Sequence, residues 1–338
     1  MGGVVRSRWV AGASIVVLAG VALVFHAAGA QPPPRPRGPG FPAGPRREPP
    51  VLRLALRAAR TLCYTGTRVV EFRTSDRPKR HIEYILKDGA RSRVWFPERS
   101  PYAGQIIVER GRDRLHYFPE TGEIQRSAAR GEAAYNRLAT MVRDGRYVTT
   151  VREDGFVAGV HTQVVTVAEA AGGVVQRLWI DPSSGMILRR VLYDSSGRNV
   201  GFFEYKAIEF NPAVKASDFT VNLKGARYVQ LRDKVAEEAR GAGLPAYEIA
   251  ANRGYELTAV RVLGGRSRHP TLVQTYRGTE GSVSLFQTTG PINARLLAKL
   301  AGDRYQTYTW RQDGSNFALV GDPGVAELQR IAGLVGRG

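Results

Sequence analysis

Cysteine is almost missing from this chain. Cys63 stands alone among 338 residues, so no disulfide can close within the chain and no cysteine-rich metal site can form. Between Leu62 and Tyr64 it reads as a small buried hydrophobe. Acidic charge is also short: 30 Asp and Glu face 49 Lys and Arg, a formal net charge of +19. The excess is mostly arginine and is spread along the sequence. No basic block marks a nucleic-acid tail, so the charge is either a solvated surface or an attraction to anionic lipid or an acidic partner. The five histidines are His26, His81, His116, His161 and His269, and none is read as part of a metal-ligand spacing. H-E-x-x-H, G-x-S-x-G, S-x-x-K and the phosphate-binding P-loop are all missing. The expectation is therefore no catalytic residues, no metal and no cofactor.

Long apolar runs are also missing, with one exception. Arg6 and Arg8 precede the run from Trp9 to Phe25, and His26-Ala27-Ala28-Gly29-Ala30 ends it in an A-x-A pattern. Residues 1–30 read as a signal peptide with a mature start near Gln31, or as a signal anchor that stays in the membrane. Both readings export the rest of the chain to a periplasmic or extracytoplasmic place. No cysteine follows the run to carry a lipid. Export also argues against a nucleic-acid partner, although "RVWFPER" and "RLHYFPE" interleave aromatics with arginine as single-strand binders do. Residues 31–50 are a proline-rich linker (Pro32, Pro33, Pro34, Pro36, Pro39, Pro42, Pro45, Pro49, Pro50). As an extended spacer they reach roughly 60 Å at about 3.1 Å per residue.

The organising stretch runs from Gly173 to Val221. At period two it gives three strands, separated by Asp181-Pro182-Ser183-Ser184-Gly185 and Asp194-Ser195-Ser196-Gly197, both turn sequences. Aromatic and aliphatic residues fall on both faces, so the sheet is expected to curve and cover something. Earlier, Val51 to Leu62 reads as a helix with Leu52, Leu56, Ala59 and Leu62 on one side. Strands are expected over His81–Leu86, Arg91–Phe96, Ile106–Val108, Leu115–Phe118 and Val160–Val167, with a second helix over Ala129–Arg143. After Phe219-Thr220-Val221, a connector over residues 223–243 carries a helix from Gln230 to Ala242. Residues 244–338 then read β-β-β-α-β-β-α. The first of these two helices starts at Gly290-Pro291, and Asp322 is expected to cap the last, with Pro323 at its first position.

"LWIDPSSGMILRRVLYDSSG" followed by "IEFNPAVKASDFTV" resembles the end of the domain shared by the lipoprotein carriers LolA and LolB and the sigma-E regulators MucB and RseB. "RLALRAARTLCYTGTRVVEF", a helix leading through a "YTG" corner into a strand, resembles the opening of the MucB/RseB domain. "HPTLVQTYRGTEGSVSLFQTTG" and "RQDGSNFALVGDPGVAELQRIAGLV" resemble the second domain of the same regulators, which plain lipoprotein carriers lack. The resemblance implies an α+β fold. A curved antiparallel sheet of the LolA half-barrel kind, with packed helices, would span residues 51–222, and a smaller α+β domain residues 244–338. It implies binding of the exported segment of an anti-sigma factor, and control of its proteolysis by an apolar envelope-stress ligand. The alternative is a periplasmic carrier of lipoproteins or lipids, with acyl chains as cargo. Either a packed core or an apolar cavity fits the inner face. The expected wall residues are Val69, Phe72, Tyr84, Trp95, Tyr117, Trp179, Leu192 and Phe202, and the expected partner contacts Tyr276 and Phe286.

Overall fold

A computed structural model describes residues 48–74, 77–111, 113–129, 138–140, 142–170, 172–194, 196–250, 254–264, 268–278, 281–293 and 305–338. The leader, residues 31–47 of the linker, and the body of the helix expected after Gly290-Pro291 lie outside them. Helix α1 is Pro50–Thr61. Proline suits its first turn, where no amide partner is needed. Its buried residues are Val51, Leu52, Ala55 and Ala58, with Leu56 packed at the margin. The expected stripe was rotated: Ala59 and Leu62 are only partly covered. The small alanines let α1 lie close on the sheet.

Eleven antiparallel strands follow: β1 (Cys63–Thr74), β2 (Arg77–Asp88), β3 (Arg91–Trp95), β4 (Ile106–Arg110), β5 (Asp113–Phe118), β6 (Glu123–Ala128), β7 (Tyr147–Val157), β8 (Val160–Glu169), β9 (Val174–Ile180), β10 (Ile187–Tyr193) and β11 (Asn199–Phe210). A twelfth, β12 (Arg227–Gln230), pairs parallel with β6. The order is β12-β6-β5-β4-β3-β2-β1-β11-β10-β9-β8-β7 in one large, curved, open sheet. The first and last strands of the Cys63–Phe210 run thus meet in the middle, β1 against β11. β12 comes from the stretch read as a connector.

Residue chemistry explains the sharp corners. In the β9–β10 turn the Asp181 carboxylate accepts the Ser183 N–H at 2.9 Å and the Ser184 N–H at 3.3 Å. Burial pushes its pKa up, but the Ser184 and Ser183 hydroxyls, which also donate to it, and then these amides hold it below the usual carboxylate range. Gly185 closes the turn at φ +77°, and a Cβ there would lie 2.7 Å from Leu54 Cγ of α1. Glycine therefore serves both the backbone angle and the contact with the helix.

The side of the sheet under α1 is packed. Val51, Leu52 and Ala55 meet Leu138, Val142, Tyr147, Val165, Val167 and Leu178. Towards the middle, Tyr64, Ile85, Met186, Leu188 and Tyr205 form a second cluster, and Val70, Phe72, Phe96, Tyr102 and Ile107 a third. On the other side, the segment after β11 crosses β4–β6 and buries Phe219 and Val221 against Val108, Leu115 and Ile124. Arg93 anchors that strap, donating from Nη1 to the carbonyls of Asp218 and Thr220, both at 3.0 Å. Cys63 is half-buried rather than buried.

Helix α2 (Leu231–Gly241) leads to a second sheet, β14-β15-β16-β18-β17. Its strands are β14 (Glu256–Leu263), β15 (Thr271–Gly278), β16 (Gly281–Thr288), β17 (Gln306–Gln312) and β18 (Ser315–Gly321). Helix α3 (Val325–Ala332) and the pair β13 (Tyr247–Ile249) with β19 (Val335–Arg337) complete the unit. One face of this sheet takes α2 through Val235, Ala239, Leu257 and Leu272. The same face takes α3 through Leu328, Ile331, Leu285 and Leu319. Asp322 is not the cap of α3. The cap position is Gly324, with no side-chain bond, and Asp322 Oδ2 instead accepts the Ser282 N–H at 2.8 Å, tying β18 back to β16. The whole is α+β, as expected.

Candidate binding site

Strand register decides which side chains share a wall, because directly opposed residues point to the same face. Phe72 and Leu192 both oppose Gly201, from β1 and from β10. They lie on the face that carries Val70 and Phe203, and both are buried. A Cβ on Gly201 would stand 3.1 Å from the Phe72 ring, so glycine lets that ring lie over the strand. The other six expected wall residues face the opposite way. Tyr84 opposes Trp95, Trp95 opposes Ile106, Ile106 opposes Tyr117 and Tyr117 opposes Ile124. Val69, Phe202 and Trp179 share that side by register with Glu204, Val191 and Arg189. The eight do not form one wall: a single-residue step along a strand reverses the face, and neither partner strand nor bulge position is written in the sequence.

The face under α1 is filled with side chains along its middle: Val70, Phe72, Ile85, Leu188 and Tyr205 are all nearly inaccessible. Its centre also holds charge. Arg68 donates to Glu83 Oε2 from Nε at 2.8 Å, with Nη2 at 2.7 Å from the same oxygen. His81 Nε2 lies 2.9 Å from Glu83 Oε1, which makes it the donor to an ionised carboxylate. His81 Nδ1 is buried without a partner, between the rings of Phe96 and Tyr102. Burial alone would raise the Glu83 pKa, but the Arg68 charge and the bonds from His81 and Arg68 bring it down to about 2. Burial, with the Glu83 charge next, pushes the Tyr102 phenol up to about 12. This cluster was missed at the sequence level. The signal was the i, i+2 spacing of His81 and Glu83, which puts both on one face of a strand.

The opposite face is less completely covered. The strap through Phe219 shields Ile124 and packs beside Tyr117 and Ile106. Beyond the strap the row continues through Trp95 and Tyr84, whose rings lie 5.6 Å apart, and both are half-buried. Ile82 beside them is 42% exposed. At the end of the row a depression of about 420 Å³ is lined by Arg93, Trp95, Phe96, Gly104, Gln105 and Ile106. An apolar floor with an arginine and an amide at its edge suits a ligand with an apolar body and a polar end. The expected partner residues separate too. Tyr276 is fully buried, donates to Gln274 Oε1 at 2.5 Å and accepts the Ile249 N–H at 3.1 Å, so it offers a partner no surface. Phe286 lies half-buried on the other face, opposed to Val273 and Ala318. Among the described residues no three or more His, Cys, Asp and Glu side chains gather as a metal site requires, and no helix is long and apolar enough to cross a membrane.

No family model matches the chain, and no curated protein matches it. Solved structures supply likenesses. The chain is similar to MucB. One MucB crystal structure aligns over 85% of this chain and 97% of its own, at 17% identity and a TM-score of 0.46. The Pseudomonas aeruginosa MucA/MucB complex aligns over the same shares at 16% identity and a TM-score of 0.47. A LolA superfamily protein from Nitrosomonas europaea aligns over 51% of this chain and 96% of its own, at 15% identity and a TM-score of 0.28. MucB is also the protein whose family the motifs at residues 53–72 and 178–221 resemble.

Proposed function

We propose that this chain is an extracytoplasmic regulator that binds the exported segment of a membrane-spanning anti-sigma factor. Bound there, it shields the segment from proteolysis until an apolar ligand loosens the complex. The sequence motifs of both halves support the class of protein. MucB has been crystallised with MucA(peri), and the same class of partner is proposed here on those motifs. The observation that carries the ligand half of the reading is the half-covered row of Ile82, Tyr84 and Trp95, ending in the depression at Arg93 and Gln105. A ligand there shifts the equilibrium only if it binds the free chain more tightly than the complex.

The apolar row also favours a second reading, a periplasmic carrier of lipids or lipoprotein acyl chains. One experiment separates the two. The full-length chain is captured from the envelope of its own cells, and bound protein and bound lipid are both identified by mass spectrometry. Recovery of an anti-sigma factor, released when a fatty-acyl probe is added, supports the regulator. Lipid without a protein partner supports the carrier. Neither protein nor lipid would defeat both.

A further inference from the structure

We propose that the groove between α1 and the helical residues 138–140 and 142–143 is a docking site for an acidic peptide segment. Arg53, Arg57 and Arg60 follow each other at i, i+4 and i+7, so they form one stripe along α1. That stripe is exposed, while Val51, Leu52, Ala55 and Ala58 hold the helix to the sheet. Arg143 lines the groove from its other side. Between them lies a groove of about 550 Å³ with Leu56 and Ala139 in its lining. Among the described residues that line it, Glu48 is the one carboxylate, 3.7 Å from Arg143. Exposed Arg53 and Arg57 thus stand over one groove whose lining mixes aliphatic and charged side chains. Their forked N–H groups match carboxylates, and their mutual repulsion is relieved when carboxylates enter.

Charge complementarity and shape select the occupant. The adjoining stretch of this chain, residues 31–47, carries Arg35, Arg37, Arg46 and Arg47 and no acidic residue, so it is repelled. A second copy, at a net charge of +19, is repelled as well. A lipid surface is flat and meets a groove only at its rims, whereas an extended or helical segment reaches the floor. The occupant is therefore an acidic segment of another polypeptide, with a small or aliphatic residue set on Leu56. The inference does not depend on which protein supplies it, and goes beyond the anti-sigma reading.

The test uses the full-length chain and a fluorescent synthetic peptide of alternating glutamate pairs and leucines, followed by anisotropy at low and physiological salt. Saturable binding that weakens with salt is expected. Arg53→Glu with Arg57→Glu is expected to weaken it by about tenfold or more, as charge reversal does at a complementary contact. Lys224→Glu with Arg311→Glu changes the net charge equally at exposed positions elsewhere and is expected to weaken it by less than about threefold. Arg53→Gln with Arg57→Gln, which adds no new charge to α1, is expected to fall between the two. Equal losses in the groove and control pairs would overturn the proposal, since the field of the whole chain would then explain binding. So would undiminished binding in the glutamine pair, or tight binding to anionic phosphatidylglycerol vesicles with none to the peptide.

Discussion

Arg68 grips Glu83 across the β1–β2 ladder through two guanidinium nitrogens, in the middle of the packed face of the large sheet. A carboxylate buried there is tolerable only with its cation. Glu83→Ala leaves Arg68 without its partner and is expected to cost about 3–5 kcal/mol. The apolar pair Arg68→Met with Glu83→Leu is expected to cost far less. Urea unfolding followed by circular dichroism measures both, and a single variant as stable as the wild type would contradict the account.

The same pair sets an acid limit. The folded carboxyl of Glu83 titrates near 2 against an ordinary 4.5. Its contribution is therefore whole above about pH 4.5 and is lost as pH falls towards 2. On the order of 3 kcal/mol disappears across that window. Glu83→Gln is expected to flatten the slope of unfolding free energy between pH 4.5 and 2. An unchanged slope would place the acid sensitivity elsewhere.

Gly185 is the second point of leverage. Alanine there must adopt φ +77° and also displace Leu54 of α1. A loss of about 2 kcal/mol or more is expected, beyond the cost of backbone strain alone. Exchange of the α1 amides should accelerate more than exchange in β1 and β11. Uniform loss of protection would show that the turn does not hold the helix.

Phe219→Ala tests the strap. The ring is 1% exposed and sits under the Arg91 guanidinium, 4.8 Å from its centroid. Truncation of a buried phenylalanine costs about 3–5 kcal/mol. Release of the strap should also bare Val108 and Leu115, read as increased binding of a dye that reports apolar surface. Lost stability without new dye binding would mean the strap stays in place.

Tyr276→Phe separates core from contact. Its hydroxyl bridges Gln274 and the Ile249 N–H in the core of the smaller unit. Removing it leaves both partners short of a bond and is expected to cost about 1–3 kcal/mol. Affinity for a protein partner, measured well below the melting temperature, should not change. A loss of affinity with unchanged stability would restore Tyr276 as a contact.

The β9–β10–β11 meander was legible because its signals are local. Asp181–Gly185 and Asp194–Gly197 are turns with glycine at positive φ, and the strands between them run where the alternation places them. β7 escaped notice because Tyr147–Val157 is an edge strand that carries Arg152, Glu153 and Asp154, the charged dress of an edge. β12 and β19 are too short to show a period, and each exists only through a distant partner. Bulges at Thr67/Arg68 and Leu192/Tyr193 shift the register on either side of β11. They decide which residues share a wall, and local composition does not reveal them. The Arg68–Glu83–His81 cluster instead needs the β1–β2 pairing, which sets Arg68 opposite Glu83, before its members meet.

β12 gives the junction a mechanical character. The chain leaves the large sheet through four residues zipped to β6 and enters α2 at the next residue. Glu123 of β6 clamps the seam, bound by Arg227 of β12 and by Lys234 of α2. A torque that swings the smaller unit must peel this latch rather than bend a loose tether. The two halves should therefore turn as one body under gentle load, and hinge only once the latch has let go.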